Sequence, residues 1–197
     1  MRRALLLCVL AASALSGCLG VSPTPRFYAL QPIEMEAAGA GDLALSVGPL
    51  HMPRYLQTPQ IVTRRGESRV EYAELHRWAG SLESECLRVI GENLALLLGS
   101  QRVVVYPLAG PFPLKYRVRF DLERFDGRLG DVVAMRVRWV VVDVNRGGVL
   151  AVGLSNLSAP VAARSVDDLV GAHSKVLEDL SREIAGRIAE LESGSES

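Results

Sequence analysis

Large hydrophobic residues recur at every second position in three consecutive stretches in the second half of the chain, and charged residues alternate with them most clearly in the first. These stretches cover residues 116–122, 133–141 and 150–154. Strict alternation is typical of β-strands with one buried and one exposed face. Asp126-Gly127 and residues 145–148 have the composition of tight turns between them. The pattern therefore predicts an antiparallel meander of three strands.

Two longer stretches repeat hydrophobic residues every three or four positions, which is the spacing of one helix face. The first covers residues 81–98, and Ser81 and Gly99 are suited to cap its two ends. The second covers residues 165–191 and starts with a Ser-x-x-Asp sequence that resembles a capping box. We therefore expect two main amphipathic helices.

Shorter strand-like stretches occupy the first half of the chain. Residues 27–30 and 43–47 have strand character, and Gly48-Pro49 is expected to stop the second of them. Residues 61–72 predict a hairpin, and residues 102–106 predict a strand buried on both faces. The predicted class is α+β: a mixed, mostly antiparallel sheet with a C-terminal three-strand meander and both helices packed on one face.

The chain begins with a positively charged and apolar leader. Arg2 and Arg3 precede an uncharged run that ends at Leu15, shorter than the roughly 20 residues of a membrane-spanning helix. The sequence Leu15-Ser16-Gly17-Cys18 resembles a bacterial lipobox, which implies cleavage before Cys18 and acylation of its thiol and amino group. The alternative is an ordinary secretory signal with an incidental cysteine.

The leader divides the chain into four predicted segments. Residues 1–17 form a lipoprotein signal peptide, and residues 18–26 form a lipid-anchored tether kept extended by prolines and glycine. Residues 27–192 form a single domain, and residues 193–197 form a disordered tail. Leu19 follows the cysteine, and by the sorting pattern of enterobacterial lipoproteins this resemblance indicates the periplasmic face of the outer membrane.

Charge and cysteine content narrow the functional classes. The chain has 22 basic and 22 acidic residues, and loss of Arg2 and Arg3 with the signal leaves a slight acidic excess. Without a basic surplus, nucleic acid is not a predicted partner. Cys86 would be the one free thiol of the mature chain, so no intramolecular disulfide is predicted. Cys86 shares a helical face with Leu82, Ile90 and Leu97, so its side chain is predicted to be buried as a small hydrophobic group.

Catalytic and metal-binding patterns are weak. Residues 153–157 begin like a nucleophile elbow but lack the closing glycine, so Ser155 is interpreted as a strand or turn residue. His173 is interpreted as helix packing. Glu71, Glu74 and His76 could meet at a metal, although such residues in a polar stretch are usually solvated. We predict no catalytic residue, no metal site, no cofactor and no enzymatic activity.

Two stretches have the composition of a recognition surface. Residues 47–63 contain three prolines beside apolar and aromatic residues, and residues 76–78 read His-Arg-Trp. Aromatic residues, Met and Arg are enriched in interface cores. The predicted partner-binding residues are Met52, Arg54, Tyr55, Leu56, Arg77 and Trp78. The alternative, weighed equally, is that Tyr55 and Trp78 cover the edge of the core.

Several of these stretches together resemble the PqiC family of auxiliary lipoproteins from ABC-type or MCE-type (mammalian cell entry) transport systems. The similarity follows the lipobox and then the sequences TPRFYALQP, VGPLHMPRYLQTPQIVTR and ELHRWAGSLESECLRVIGENLALLLG, at residues 24–32, 47–64 and 74–99. Relatives often have Ala-Glu-Pro-Leu after the tryptophan, where this chain has residues 79–82 as Ala-Gly-Ser-Leu.

The resemblance implies a role in intermembrane lipid transport and envelope integrity. An outer-membrane lipoprotein of this kind would meet an MCE-domain tunnel protein and inner-membrane transporter components, and a homo-oligomeric ring would suit docking on a symmetric tunnel. The competing hypothesis is a periplasmic lipid-binding carrier, which would need a deep apolar cavity. An envelope hydrolase is disfavoured because no catalytic constellation is present.

Overall fold

A computed structural model describes residues 23–36, 39, 41–108 and 110–195. The predicted signal peptide, Cys18 and the first part of the tether lie outside these residues. The strands are β1 Arg26–Tyr28, β2 Leu45–His51, β3 Gln60–Arg65, β4 Arg69–Trp78, β5 Val103–Val105, β6 Tyr116–Gly127, β7 Val132–Asp143 and β8 Val149–Pro160. The α-helices are α1 Leu82–Leu98 and α2 Val166–Ser195, and Arg54–Leu56 form a short 3-10 helix.

The eight strands form one mixed sheet that forks at β6. One edge of β6 pairs along its length with β7, which in turn pairs with β8. The other edge pairs first with β2, from Tyr116 to Asp121, and then with β3 at Gly127. Strand β5 extends the β2 branch, while β4 and β1 extend the β3 branch. The predicted α+β class is confirmed.

The predicted meander is confirmed as β6, β7 and β8, each 12 residues long. Its third strand, however, presents a different face from the one that its hydrophobic residues suggest. Val152 and Leu154 are 60% and 43% exposed on the outer face, whereas Ser155 is buried. Gly153 lies beneath the Trp139 indole, and an added Cβ there would come within 2.2 Å of it. The large indole therefore fills the space that a side chain on β8 would otherwise occupy.

Both helices pack on one face of the sheet, as predicted. Helix α1 contacts β2 and β5, and α2 contacts β7, β8 and α1. The Ser81 side chain accepts a hydrogen bond from the backbone N–H of Ser84 at 3.1 Å, and Gly99 ends the helix at φ 62°. Ser165 caps α2 by accepting from the Asp168 N–H at 3.0 Å. These contacts satisfy terminal backbone groups that the helices themselves cannot pair.

Three predicted element boundaries and one predicted burial pattern are wrong. Strand β2 continues through Gly48-Pro49 to His51, with a register shift that absorbs the irregular residues. Strand β5 pairs only with β2 and is partly exposed, so it is not buried on both faces. Asp126-Gly127 end β6 rather than forming a turn. Helix α2 extends to Ser195, into the predicted tail.

The core lies between the helices and the sheet, and it includes two titratable residues interpreted above as packing groups. Cys86 is 1% exposed, and burial raises the pKa of its thiol. His173 is also 1% exposed, and burial lowers the pKa of its imidazole to about 4 despite a hydrogen bond with the Leu169 carbonyl. A neutral thiol and a neutral imidazole are the forms favoured where charge is poorly solvated.

Candidate partner-binding cleft

A surface cleft of about 530 Å³ opens between the β2–β3 connection and the start of α1. Its walls are Met52, residues 56–59 and residues 78–83. Thus the two stretches that the sequence singled out, which are far apart along the chain, form one concave surface. We refer to these residues as the cleft.

The β2–β3 wall of the cleft is a compact turn held by its own hydrogen bonds. The Leu56 N–H donates to the Pro53 carbonyl at 3.0 Å, which closes the 3-10 helix. The Gln57 side-chain amide donates to the Met52 carbonyl at 2.9 Å. Together with the fixed φ of proline, these bonds limit the conformations of the wall before any partner arrives.

The floor of the cleft is apolar and continuous with the core. Leu56 and Trp78 are 1% and 4% exposed, so they belong to the core of the isolated chain. The Trp78 ring meets the His173 ring edge-on at 5.6 Å, and His173 meets Phe125 at 4.7 Å. Such edge-to-face contacts add to the stabilisation that burial provides. The indole therefore connects the cleft to α2 and the meander.

The opposite wall is the first turn of α1. Ser81, Gly80 and Glu83 lie here, and Glu83 and Glu85 are the acidic residues of this turn. Their carboxylates complement the positive end of the helix dipole. Glu85 also accepts from the Leu30 N–H at 3.1 Å and pairs with Arg88 at 2.8 Å. This polar wall above an apolar floor resembles the rim and centre of a protein interface more than an acyl-chain tunnel.

Tyr55 lies between Met52 and Leu56 in the chain, but its side chain does not line the cleft and instead contacts a buried carboxylate. Its hydroxyl donates to Asp126 at 2.9 Å, and Asp126 also pairs with Arg64 at 2.6 Å and Arg124 at 3.0 Å. Desolvation and the neighbouring carboxylate raise the pKa of Tyr55 to about 12. Burial alone would raise the pKa of Asp126, but the hydrogen bonds from Arg64, Tyr55 and Arg124 outweigh it, so this pKa is lowered.

This cluster sits where the sheet forks, and sequence reasoning missed it. Asp126 has no exposed surface, although the adjacent residues Asp126-Gly127 have the composition of a solvated turn. The register shift between Leu122 and Arg124 changes the alternation of β6 and brings Phe125 and Asp126 inward together. The sequence contains no signal for that shift.

The remaining predicted partner-binding residues lie outside the cleft lining. Arg54 is exposed on the 3-10 helix. Arg77 is half-buried in β4, opposite Gln60 on one side and Phe27 on the other. Its Nε atom is buried without a hydrogen-bond partner among the described residues. The structure thus brings together Met52, Leu56 and Trp78 and separates them from the two arginines and Tyr55.

The weaker chemical candidates have structural partners. Ser155 lies in β8 and accepts from the Trp139 indole N–H at 2.9 Å. Glu71 pairs with Arg65 and Arg69, and His76 shares a hydrogen bond with the Tyr28 hydroxyl at 2.8 Å. Within the described ranges, no group of three or more His, Cys, Asp or Glu residues is placed to hold a metal ion. None of the helices in those ranges has the length and hydropathy needed to cross a membrane.

Comparison with known proteins decides the family. Residues 28–185 match the family described as ABC-type transport auxiliary lipoprotein component. The chain belongs to this family. Its members are transport accessory lipoproteins rather than enzymes, and the resemblance predicted from the sequence is confirmed. No curated protein matches the chain.

Solved structures share the fold. A Xanthomonas campestris protein of the DUF330 family superposes with a TM-score of 0.72 at 13% identity, covering 87% of this chain and 99% of that one. An uncharacterized protein gives a TM-score of 0.67 at 19% identity, with coverages of 84% and 99%. At these identities the likeness establishes the fold and no more.

Proposed function

We propose that this protein is an outer-membrane-anchored accessory lipoprotein of an MCE/ABC-type intermembrane lipid transport system, and that its cleft docks the periplasmic tunnel protein. The family match supports a transport role. The observation that carries the docking role is the convergence of Met52 and Pro59, from the β2–β3 connection, with the start of α1 in one open cleft.

The shape of the cleft favours a protein partner over a stored lipid. Its walls include Gln57, Thr58, Ser81 and Glu83, and covering these polar groups with an acyl chain would remove water from them, which is most costly for the charged Glu83. Its floor residues Leu56 and Trp78 pack into the core rather than line a deep chamber. A carrier would release about one lipid per domain in native mass spectrometry, whereas a docking subunit would release none.

Anchoring depends on Cys18, which lies outside the described residues. One acyl chain holds a protein only marginally, at about 0.8 kcal/mol per buried methylene, so a multiply acylated cysteine would serve as the stable anchor. Cys18→Ser is expected to free the domain from the outer membrane or to retain its precursor at the inner membrane. Unchanged fractionation with the outer membrane would exclude the lipobox interpretation.

The docking role is tested by obstructing the cleft without touching the core. Ala79 is exposed and lines the cleft, so Ala79→Arg should place a bulky charge in it. Gly148→Arg is the control, because the space around Gly148 in the β7–β8 turn is open. Crosslinking in cells to the MCE-domain protein should fall at least tenfold for the cleft variant only.

Both variants must melt within a few degrees of the wild type for this comparison to hold. Equal crosslinking of Ala79→Arg and the wild type would place the docking surface elsewhere. An adjacent gene for an MCE-domain protein would independently support the transport class, and its absence would weaken the assignment.

A further inference from the structure

The direction of β1 shows where the chain before the domain leaves the sheet. Strand β1 runs parallel to β4, with Arg26 opposite His76 and Tyr28 opposite Trp78. The residues before Arg26 therefore head toward the start of β4, which is the β3–β4 turn at residues 66–68. Any anchor upstream of Arg26 is directed to that end of the molecule.

Three connections meet at this end. Thr63 of β3 is opposite Gly127 of β6, so the β3–β4 turn lies beside the β6–β7 turn. Val132 is opposite Pro160, which brings the β8–α2 connection to the same place. We call this region, at residues 64–71, 128–131 and 161–164, the arginine end.

The tether has the length to hold this end at a membrane. Residues 18–25 extend at most about 26–29 Å. The seven steps between neighbouring residues from His76 to Arg69 cover at most about 23 Å. Strand β6 has 12 residues, so the β7–β8 turn is on the order of 40 Å from the arginine end. To reach that turn, the chain before Arg26 would have to reverse the direction in which β1 places it.

The arginine end holds a cleft of about 460 Å³ lined by four arginines and two carboxylates. Arg64 is committed to Asp126, whereas Arg65 and Arg128 make exposed pairs with Glu71 and Asp131. Arg164 makes no ion pair among the described residues. Exposed pairs of this kind are weak and exchange readily with other ions.

The arrangement of the β6–β7 turn keeps an arginine and an apolar side chain together. Gly130 has φ +68°, and an added Cβ would lie 2.6 Å from Cγ of Arg164, so the missing side chain makes room for that arginine. The adjacent Leu129 is 37% exposed. An exposed leucine between arginines suits the boundary between lipid headgroups and acyl chains.

From these observations we infer that the arginine end is a membrane-docking surface, and that Arg65, Arg128 and Arg164 bind the phosphates of anionic phospholipids in the membrane that holds the protein's own anchor. The inference rests on the acylation of Cys18 in the proposed function. It sets the orientation of the domain, with the β7–β8 turn away from the membrane.

The test uses the mature acylated protein, reconstituted in vesicles of phosphatidylcholine alone or of phosphatidylcholine with an equal amount of phosphatidylglycerol. A fluorophore on Ser68→Cys reports the arginine end, and one on Arg146→Cys reports the opposite turn. Cys86 is buried and should remain unlabelled. Energy transfer to a headgroup-labelled lipid measures how close each turn lies to the bilayer.

Transfer from position 68 should exceed transfer from position 146, and the difference should grow with phosphatidylglycerol and shrink in high salt. Replacing Arg65, Arg128 and Arg164 by Gln should lower the ratio of docked to undocked domains on the order of a hundredfold, at about fivefold for each arginine. The control is the matched charge change at Arg117, Arg119 and Arg138 on the sheet's outer face, which should have no effect.

Equal transfer from both positions, or greater transfer from position 146, would overturn the inference. So would orientation that is identical in neutral vesicles, in high salt and in the triple Gln variant. Crosslinking to the MCE-domain protein is measured separately, so loss of orientation with crosslinking retained would reject this inference alone. An unacylated Cys18 would reject both proposals.

Discussion

The meander and the cleft half of the molecule are built in opposite ways. In the meander, β6, β7 and β8 pair over nearly their whole lengths, with one register shift in each pairing. In the cleft half, which comprises β1 to β4 and the 3-10 helix, strands are shorter and the β3–β4 pairing skips from Gln60–Arg77 to Ile61–Ala73.

We attribute most of the stability of the fold to the meander, and the proposed function assigns partner recognition to the cleft half. A long ladder pairs its backbone groups internally and can bury one continuous face. An interrupted strand turns its chain outward and leaves a concave surface with few regular hydrogen bonds, as functional loops on rigid scaffolds do. The two halves meet through Trp78, His173 and Phe125, and through Tyr55 and Asp126.

The largest expected effect comes from removing the indole that joins the halves. Trp78→Ala should lower the free energy of unfolding by about 3–5 kcal/mol, because the buried ring leaves a cavity against His173. Urea denaturation measures this loss. Trp78→Phe should lose less, and a Trp78→Ala loss below about 1 kcal/mol would favour a ring used mainly for partner contact.

Acid should weaken the same junction through His173. Its pKa is lowered from 6.5 to about 4, so the unfolded chain takes up a proton that the folded chain does not. Stability should therefore be unaffected above pH 6.5 and fall by about 3 kcal/mol as the pH drops to 4. His173→Phe should lack this component of the pH dependence, and matching curves for variant and wild type would contradict the assignment.

Within the meander, the sensitive position is a glycine. Gly153→Ala would place Cβ 2.2 Å from the Trp139 indole, which must move away from Ser155. We expect a loss of about 1–3 kcal/mol, typical of overpacking. Gly148→Ala lies in open space and is the control for the change of residue type. Equal melting temperatures for the two variants would show that the indole relocates freely.

The smallest effect should follow loss of the Tyr55 hydroxyl. Tyr55→Phe removes one donor from buried Asp126, which retains Arg64 and Arg124, so about 1–2 kcal/mol should be lost. Tyr72→Phe is the control, because the described structure gives that exposed hydroxyl no hydrogen bond. Weaker crosslinking to the MCE-domain protein without loss of stability would instead place Tyr55 at the partner interface.

The sequence identified three residues that line the cleft, but it did not identify the buried polar contacts of the fold. The prolines and apolar residues of the β2–β3 connection indicated a special surface, and Met52, Leu56 and Trp78 do converge there. It did not find Asp126 or the buried Asn93, whose side chain accepts from the Ile33 N–H at 2.9 Å and donates to Ser181 at 3.2 Å. Both depend on partners distant in sequence, which local patterns do not encode.

The sequence by itself determined the hydrophobic repeat of the long strands and helices, and the residues that cap both helices. Both features depend on neighbours within a few residues along the chain. The tertiary structure alone decided the fork at β6, the exposed position of Val152 and Leu154, and the parallel pairing of β1 with β4. Alternation defines two strand faces but does not say which one the helices cover. That choice rests on side chains such as Trp139, which lies over Gly153 from the neighbouring strand.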